Sequence, residues 1–231
     1  MPRESYQRRL DELRDDVVDM GDLVLTRYDA ALEAAQTADA DLARDVIEGD
    51  HEVNERYLAL EGACTELLAL QQPVAGDLRL ITASFKVITD LERVADLATN
   101  LAGYGHPETG GVHPAVDLSG LGGAAGDMVA DAVDAYAAAD AEACREVAAR
   151  DDDLDERCGD ASEAVVRELL EAERARAAAN GSVGGEELED ALDEVSRALL
   201  TVRDLERVGD HAVNIAARSL YMVENDDELI Y

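Results

Sequence analysis

Leu10, Leu13, Val17, Met20, Val24, Tyr28 and Leu32 recur at three- and four-residue spacing with polar residues between them. That period predicts one apolar face of a first helix. The polar break at Thr37 to Asp39 ends it, and a second helix is predicted from about Asp41 to Leu70. Gln71, Gln72 and Pro73 supply the next turn, since proline cannot continue a helix. A third helix then carries Leu78, Ile81, Phe85, Ile88, Leu91, Val94, Ala98 and Leu101. Long helices joined by short turns predict an antiparallel three-helix bundle.

A Gly- and Pro-rich stretch, GYGHPETGGVHP at residues 103–114, interrupts the period and reads as a linker. Beyond it the pattern returns. DADLARDVIEGDHEVNER at 39–56 matches DAEACREVAARDDDLDER at 140–157, an offset of 101. Arg44/Arg145, Val46/Val147, Asp50/Asp151, Glu55/Glu156 and Arg56/Arg157 are identical pairs. DLERVADLATN at 90–100 returns as DLERVGDHAVN at 204–214, with eight of eleven positions identical and an offset of 114. The second copy therefore carries 13 extra residues between its second and third helices, with the turn expected at NGSVGG, residues 180–185. A near-verbatim return at half-chain spacing marks a duplicated unit. The expected fold is all-α: two tandem antiparallel three-helix bundles. The first spans residues 1–103 and the second 115–231, joined by 104–114, each with its own core and able to fold separately.

Composition agrees with helices packed closely on helices. Hydrophobic residues make up 47% of the chain, yet there is no Trp and one Phe, so the core must be Leu, Val, Ala and Ile. The charge changes the picture more. Twenty basic residues against 53 acidic ones give −33, and Lys86 is the only lysine. Phosphate contacts need a basic face, which argues against a nucleic-acid partner. An acidic, lysine-poor surface is the pattern of adaptation to high salt, where repulsion is screened within about 3 Å at 1 M. Far-UV circular dichroism tests this: full helicity in low-salt buffer without divalent cations would rule it out. Cys64, Cys144 and Cys158 are odd in number without CxxC spacing, and read as small buried residues of a reducing cytoplasm. No run approaches the roughly 18–20 apolar residues needed to span a bilayer, so the chain is expected in the cytoplasm without direct membrane insertion.

The doubled phrase carries the candidate chemistry. Glu92, Asp96 and Asn100 are spaced by four, as are Glu206, Asp210 and Asn214. Each step drifts only about 40° around a helix, so each trio forms a strip beside the apolar stripe. The second helix supplies Asp50 and Asn54 in the first copy, Asp151 and Asp155 in the second. Two facing helices thus present about five oxygens, a set suited to magnesium, calcium, manganese or iron and wrong for structural zinc. The spacing alone is cheap, because Glu12/Asp16, Glu186/Asp190 and Glu189/Asp193 share it. Its retention in both copies is what points to bound metal. Arg93 and Arg207 read as ion-pair partners of the strips. His51 and His211 face Asp152 and Leu97 in the other copy, so they do not read as ligands, and His106 and His113 fall in the linker and read as inert.

The phrases DLERVADLATNLA at 90–102 and DLERVGDHAVNIA at 204–216, with QPVAGDLRLI at 72–81, resemble the PhoU family, the phosphate-regulon accessory proteins. The resemblance spans essentially the whole chain. It implies two three-helix bundles and a non-enzymatic, cytoplasmic regulator of phosphate uptake and the phosphate-starvation response. Such a regulator acts through the high-affinity phosphate ABC transporter and restrains it when phosphate is abundant. The implied partners are the transporter's ATPase subunit, a phosphate sensor kinase and a second copy in a homodimer, with peripheral placement at the inner membrane face through the transporter. The family's metal-binding ExxxD strips map onto Glu92, Asp96, Glu206 and Asp210, and its asparagine onto Asn100 and Asn214. Ala95 stands where the second copy has Gly209, a small-for-small change at a close helix contact. The second copy lacks the QPVAGDLR element, so its site is expected to be the less complete. Two other readings compete: a homodimeric helical scaffold, and a di-iron carboxylate oxidase. The oxidase needs Glu-x-x-His from two helices, and the chain offers only Glu48 to His51.

Overall fold

The computed structural model describes residues 3–70, 73–105, 111–180 and 185–230, and among them every regular element is a helix. The first repeat comprises α1 (Arg3–Thr37), α2 (Ala40–Glu48), α3 (Asp50–Leu70) and α4 (Ala75–Tyr104). The second comprises α5 (Leu118–Ala138), α6 (Ala141–Ala148), α7 (Asp151–Asn180) and α8 (Gly185–Glu224). Each repeat is a three-helix bundle whose middle helix is broken in two. All seven apolar positions predicted for α1 are buried. On α4 the stripe from Ile81 to Leu101 is buried or half-buried, but Leu78 is 42% exposed and Leu80 takes its place inside.

The duplication is visible in the turns. Asp39 caps α2 by accepting from the Asp41 and Leu42 N–H groups, and Asp140 caps α6 from Glu142 and Ala143 in the same way. Both aspartates follow an alanine in the left-handed region, Ala38 at φ 55° and Ala139 at φ 52°. Such a residue closes a helix by turning the chain back on its last carbonyls: Asp39 N–H reaches Ala34 O and Asp140 N–H reaches Ala135 O, both at 3.0 Å.

The uninterrupted helix expected from Asp41 to Leu70 is not formed, because the ladder stops at Gly49. A Cβ there would collide with the Arg27 guanidinium, which lies over the break and pairs with Glu52 at 2.5 Å. In the second copy Ala149 and Arg150 make the same break without a glycine. The consequence is functional. Asp50 and Asp151 fall in the first turns of new helices, where the helix dipole favours a carboxylate.

The 13 extra residues go into helix rather than loop. α7 has 30 residues where α3 has 21, and α8 begins 19 residues before Asp204 where α4 begins 15 before Asp90. Residues 181–184 of the expected NGSVGG turn, Gln71 and Gln72 of the first turn, and His106 of the linker lie outside the described residues. His113 is packed into the fold: its side chain is 10% exposed and wedged against α7 and α8, with Nδ1 accepting from Ala115 N–H and Nε2 3.9 Å from Glu194.

The repeats do not keep separate cores. α4 runs antiparallel to α8, with Arg79 Nε donating to Met222 O at one end and Tyr104 OH to Asp204 at the other. α1 runs beside α5, where Gly122 and Gly126 let the chain approach Leu32 and Tyr28: Cβ atoms on those glycines would lie 2.7 and 3.0 Å from them. Tyr28 OH donates to Gly122 O at 2.9 Å, and Ser84 and Tyr136 hydroxyls meet at 2.6 Å between α4 and α5. One hydrophobic cluster runs through both halves.

Candidate metal centres

In the first repeat, α3 and α4 bring Asp50 and Asn54 alongside Glu92 and Asp96. Asn54 Nδ2 donates to Asp50 Oδ2 at 2.7 Å, one turn apart. Arg93 lies over the strip, 3.0 Å from Asp96 and 3.5 Å from Glu92. Burial pushes the Glu92 carboxyl up, and Asp96 and Asp50 push it further, while Arg93 and His211 oppose them. This arginine occupies the expected place.

The second repeat gathers four carboxylates: Asp151 and Asp155 on α7, Glu206 and Asp210 on α8. Burial, then Asp155, Asp210, Asp152 and Glu206, push the Asp151 carboxyl up to about 6. Asp155 and Glu206 are also raised, in each case first by burial and then by the neighbouring acids. Gly209 allows the approach, since a Cβ there would collide with Leu154 and lie 3.7 Å from Asp151 Oδ1. That oxygen is buried with no hydrogen-bond partner. An orphaned carboxylate oxygen among four acids fits a hard, oxygen-seeking cation. Among the described residues no three Asp, Glu, His or Cys side chains already converge as an ion's ligands.

Three expectations need correction. Asn100 turns away from its strip and donates to Asp204 Oδ2 across α4 and α8 at 3.4 Å. Asn214 is exposed on α8 and makes no side-chain hydrogen bond among the described residues. Arg207 does not sit on Glu206 and Asp210; its carboxylate partner is Asp204, 3.7 Å away.

The phrase's leading aspartates carry a role that spacing did not reveal. Asp204 is 0% exposed and accepts from Arg203 Nη2 at 2.8 Å, Arg203 Nε at 3.1 Å and Tyr104 OH at 3.0 Å. Its repeat equivalent, Asp90, meets His211 Nδ1 at 2.9 Å across the same helix pair. The signal was an acidic residue on a stripe that otherwise reads Thr201, Leu205, Val208 and Ala212.

A family model, the PhoU domain, matches residues 17–104 and 118–219, one match over each repeat. The chain belongs to the PhoU family. It is 32% identical to the phosphate-specific transport system accessory protein PhoU of Edwardsiella tarda, over 96% of this chain and 86% of that one. Against the protein of the same name from Escherichia coli (strain K12) it is 30% identical, over 96% and 87%. The crystal structure of PhoU from Pseudomonas aeruginosa superposes with a TM-score of 0.84 at 31% identity, covering 96% of this chain and 100% of that one.

The QPVAGDLR element lies far from the PhoU strip that it was expected to complete. Asp77 is 15 residues before Glu92, about 22 Å along the helix axis. There it braces the fold: Gln7 Nε2 donates to Asp77 Oδ1 at 3.3 Å between α1 and α4, and Arg79 reaches α8 of the second repeat. The second centre, with four carboxylates, is therefore the fuller of the two.

Proposed function

We propose that this protein is a non-enzymatic regulator of phosphate uptake and the phosphate-starvation response, and that its carboxylate centres bind hard cations. The observation that carries the cation reading is the orphaned Asp151 Oδ1 within a four-acid cluster. The regulatory reading rests on family membership and on relatives named as accessory proteins of the phosphate-specific transport system. The partner is the ATPase subunit of a phosphate ABC transporter, engaged from the cytoplasm, with a sensor kinase as a second target and a homodimer as the working unit. Peripheral attachment runs through the transporter, and no helix of the described residues is long and apolar enough to cross a membrane. A binding protein shifts its partner only by preferring one of its states, here one that restrains uptake when phosphate is abundant. A magnesium, calcium, manganese or iron ion held there would offset the repulsion among the carboxylates. The oxidase alternative loses ground because it needs Glu-x-x-His from two helices, and the repeat equivalent of Glu48 to His51 is Ala149 to Asp152.

Elemental analysis of dialysed protein and phosphate uptake in a deletion strain test this together. The Glu92→Gln/Asp96→Asn/Glu206→Gln/Asp210→Asn variant should retain less metal and fail to restore normal uptake. Equal metal in the two proteins would remove the strips as the site. Unchanged uptake, with no complex recovered with the ATPase subunit in native salt, would leave a scaffold.

A further inference from the structure

The two centres share a phrase but not a charge. In the first, Asp50, Glu92 and Asp96 carry three negative charges, Asn54 is neutral, and Arg93 lies within 3.5 Å of both strip carboxylates. In the second, Asp151, Asp155, Glu206 and Asp210 carry four, and Arg207 is spent on Asp204. Resting on the cation reading above, we infer that the second centre binds a divalent cation ahead of the first, because Asp204 withdraws Arg207 from it while Arg93 remains on the first centre as a built-in counter-ion.

The cause is one position of the phrase. Residue 211 is His in the second copy and its equivalent, residue 97, is Leu in the first. The two copies face each other across antiparallel α4 and α8, so each leading aspartate meets the opposite copy. Asp90 meets His211 at 2.9 Å and has a partner. Asp204 meets no histidine. Buried, its carboxyl must take donors from elsewhere, and takes Tyr104, Asn100, Arg203 and Arg207. An arginine drawn inward on α8 is left outward on α4, where it neutralises the strip. The ion pairs agree: among the described residues none reaches Asp151, Asp155, Glu206 or Asp210, whereas Glu92 and Asp96 both pair with Arg93. Asp204 thus acts as a positioning residue, touching no ion itself. Two units of net charge, screened near the surface, set a difference on the order of tenfold in affinity.

Mn²⁺ titration of the full chain in high-salt buffer reads this, by calorimetry and by the electron paramagnetic resonance signal of free ion. Two classes are expected, about tenfold apart. Glu206→Gln/Asp210→Asn should abolish the tight class, and Glu92→Gln/Asp96→Asn the weak one. Arg93→Gln, which removes one of the two units, should tighten the weak class about threefold, whereas Arg207→Gln should leave the tight class essentially unchanged. Equivalent classes in the wild type, or equal gains from the two arginine variants, overturn the inequality and leave the cation reading standing. No Mn²⁺ binding to any of these proteins overturns both.

Discussion

Neither repeat will fold on its own. Residues 1–103 and 115–231, expressed separately, should stay helical by far-UV circular dichroism yet lack a cooperative unfolding transition and expose apolar surface to dye. The sequence reading expected the opposite, since a Gly- and Pro-rich linker suggests independent units. The packing decides otherwise. Separation would uncover Tyr28, Leu32, Val133 and Tyr136, all buried where α1 and α4 meet α5. Each large apolar side chain exposed costs about 1.5–3 kcal/mol. Four of them rival the roughly 5–15 kcal/mol that holds a whole domain together. The α4–α8 contact would add the unpaired Asp204, a buried carboxylate stripped of its Tyr104 and Asn100 donors. Mixing the halves should restore cooperativity by reassembling the shared core. Sharp, independent transitions for both halves would refute the shared-core account.

Periodicity found what lies within a repeat and missed what lies between repeats, for a physical reason. A stripe such as Leu10 to Leu32 records that a face is buried, but a face buried by its own repeat looks the same as one buried by the other. The glycines at 122 and 126 were legible as residues, yet only the approach of Tyr28 and Leu32 shows why they are small. The break at Gly49 was hidden because an isolated glycine costs a helix only about 1 kcal/mol and is often tolerated. The strips themselves were legible because helical spacing alone places Glu92 with Asp96 and Glu206 with Asp210. What spacing cannot say is which carboxylate an arginine will choose. Arg93 and Arg207 occupy the same place in identical DLER phrases, and their fates diverge through a residue on the opposite helix.

The Asp151→Asn variant should be more stable than the wild type without divalent cation at pH 7.5, and less stable with it. Burial and four neighbouring acids push the Asp151 carboxyl from its ordinary value, 3.8, up to about 6. A carboxyl raised on folding holds its proton more tightly in the folded chain, so acid favours folding. Its stabilising contribution is full below about pH 4 and is lost as pH rises through about 6. At pH 7.5 the group is charged, repelled and short of a partner, and the amide relieves the repulsion. Solvent still reaches this carboxyl, which limits the gain to about 1 kcal/mol, or about 2–4 °C in Tm for a chain of this size. At pH 4 the advantage should largely vanish, because the wild-type carboxyl is then protonated. Saturating Mn²⁺ should reverse the order, since ligand at a hundredfold its Kd stabilises the wild type by about 2.7 kcal/mol. Thermal denaturation in a two-by-two design, pH 7.5 against pH 4 and cation against chelator, provides the check. A variant less stable than the wild type in chelator at pH 7.5 would show that Asp151 helps hold the fold, and would take away the strongest reason to place a cation beside it.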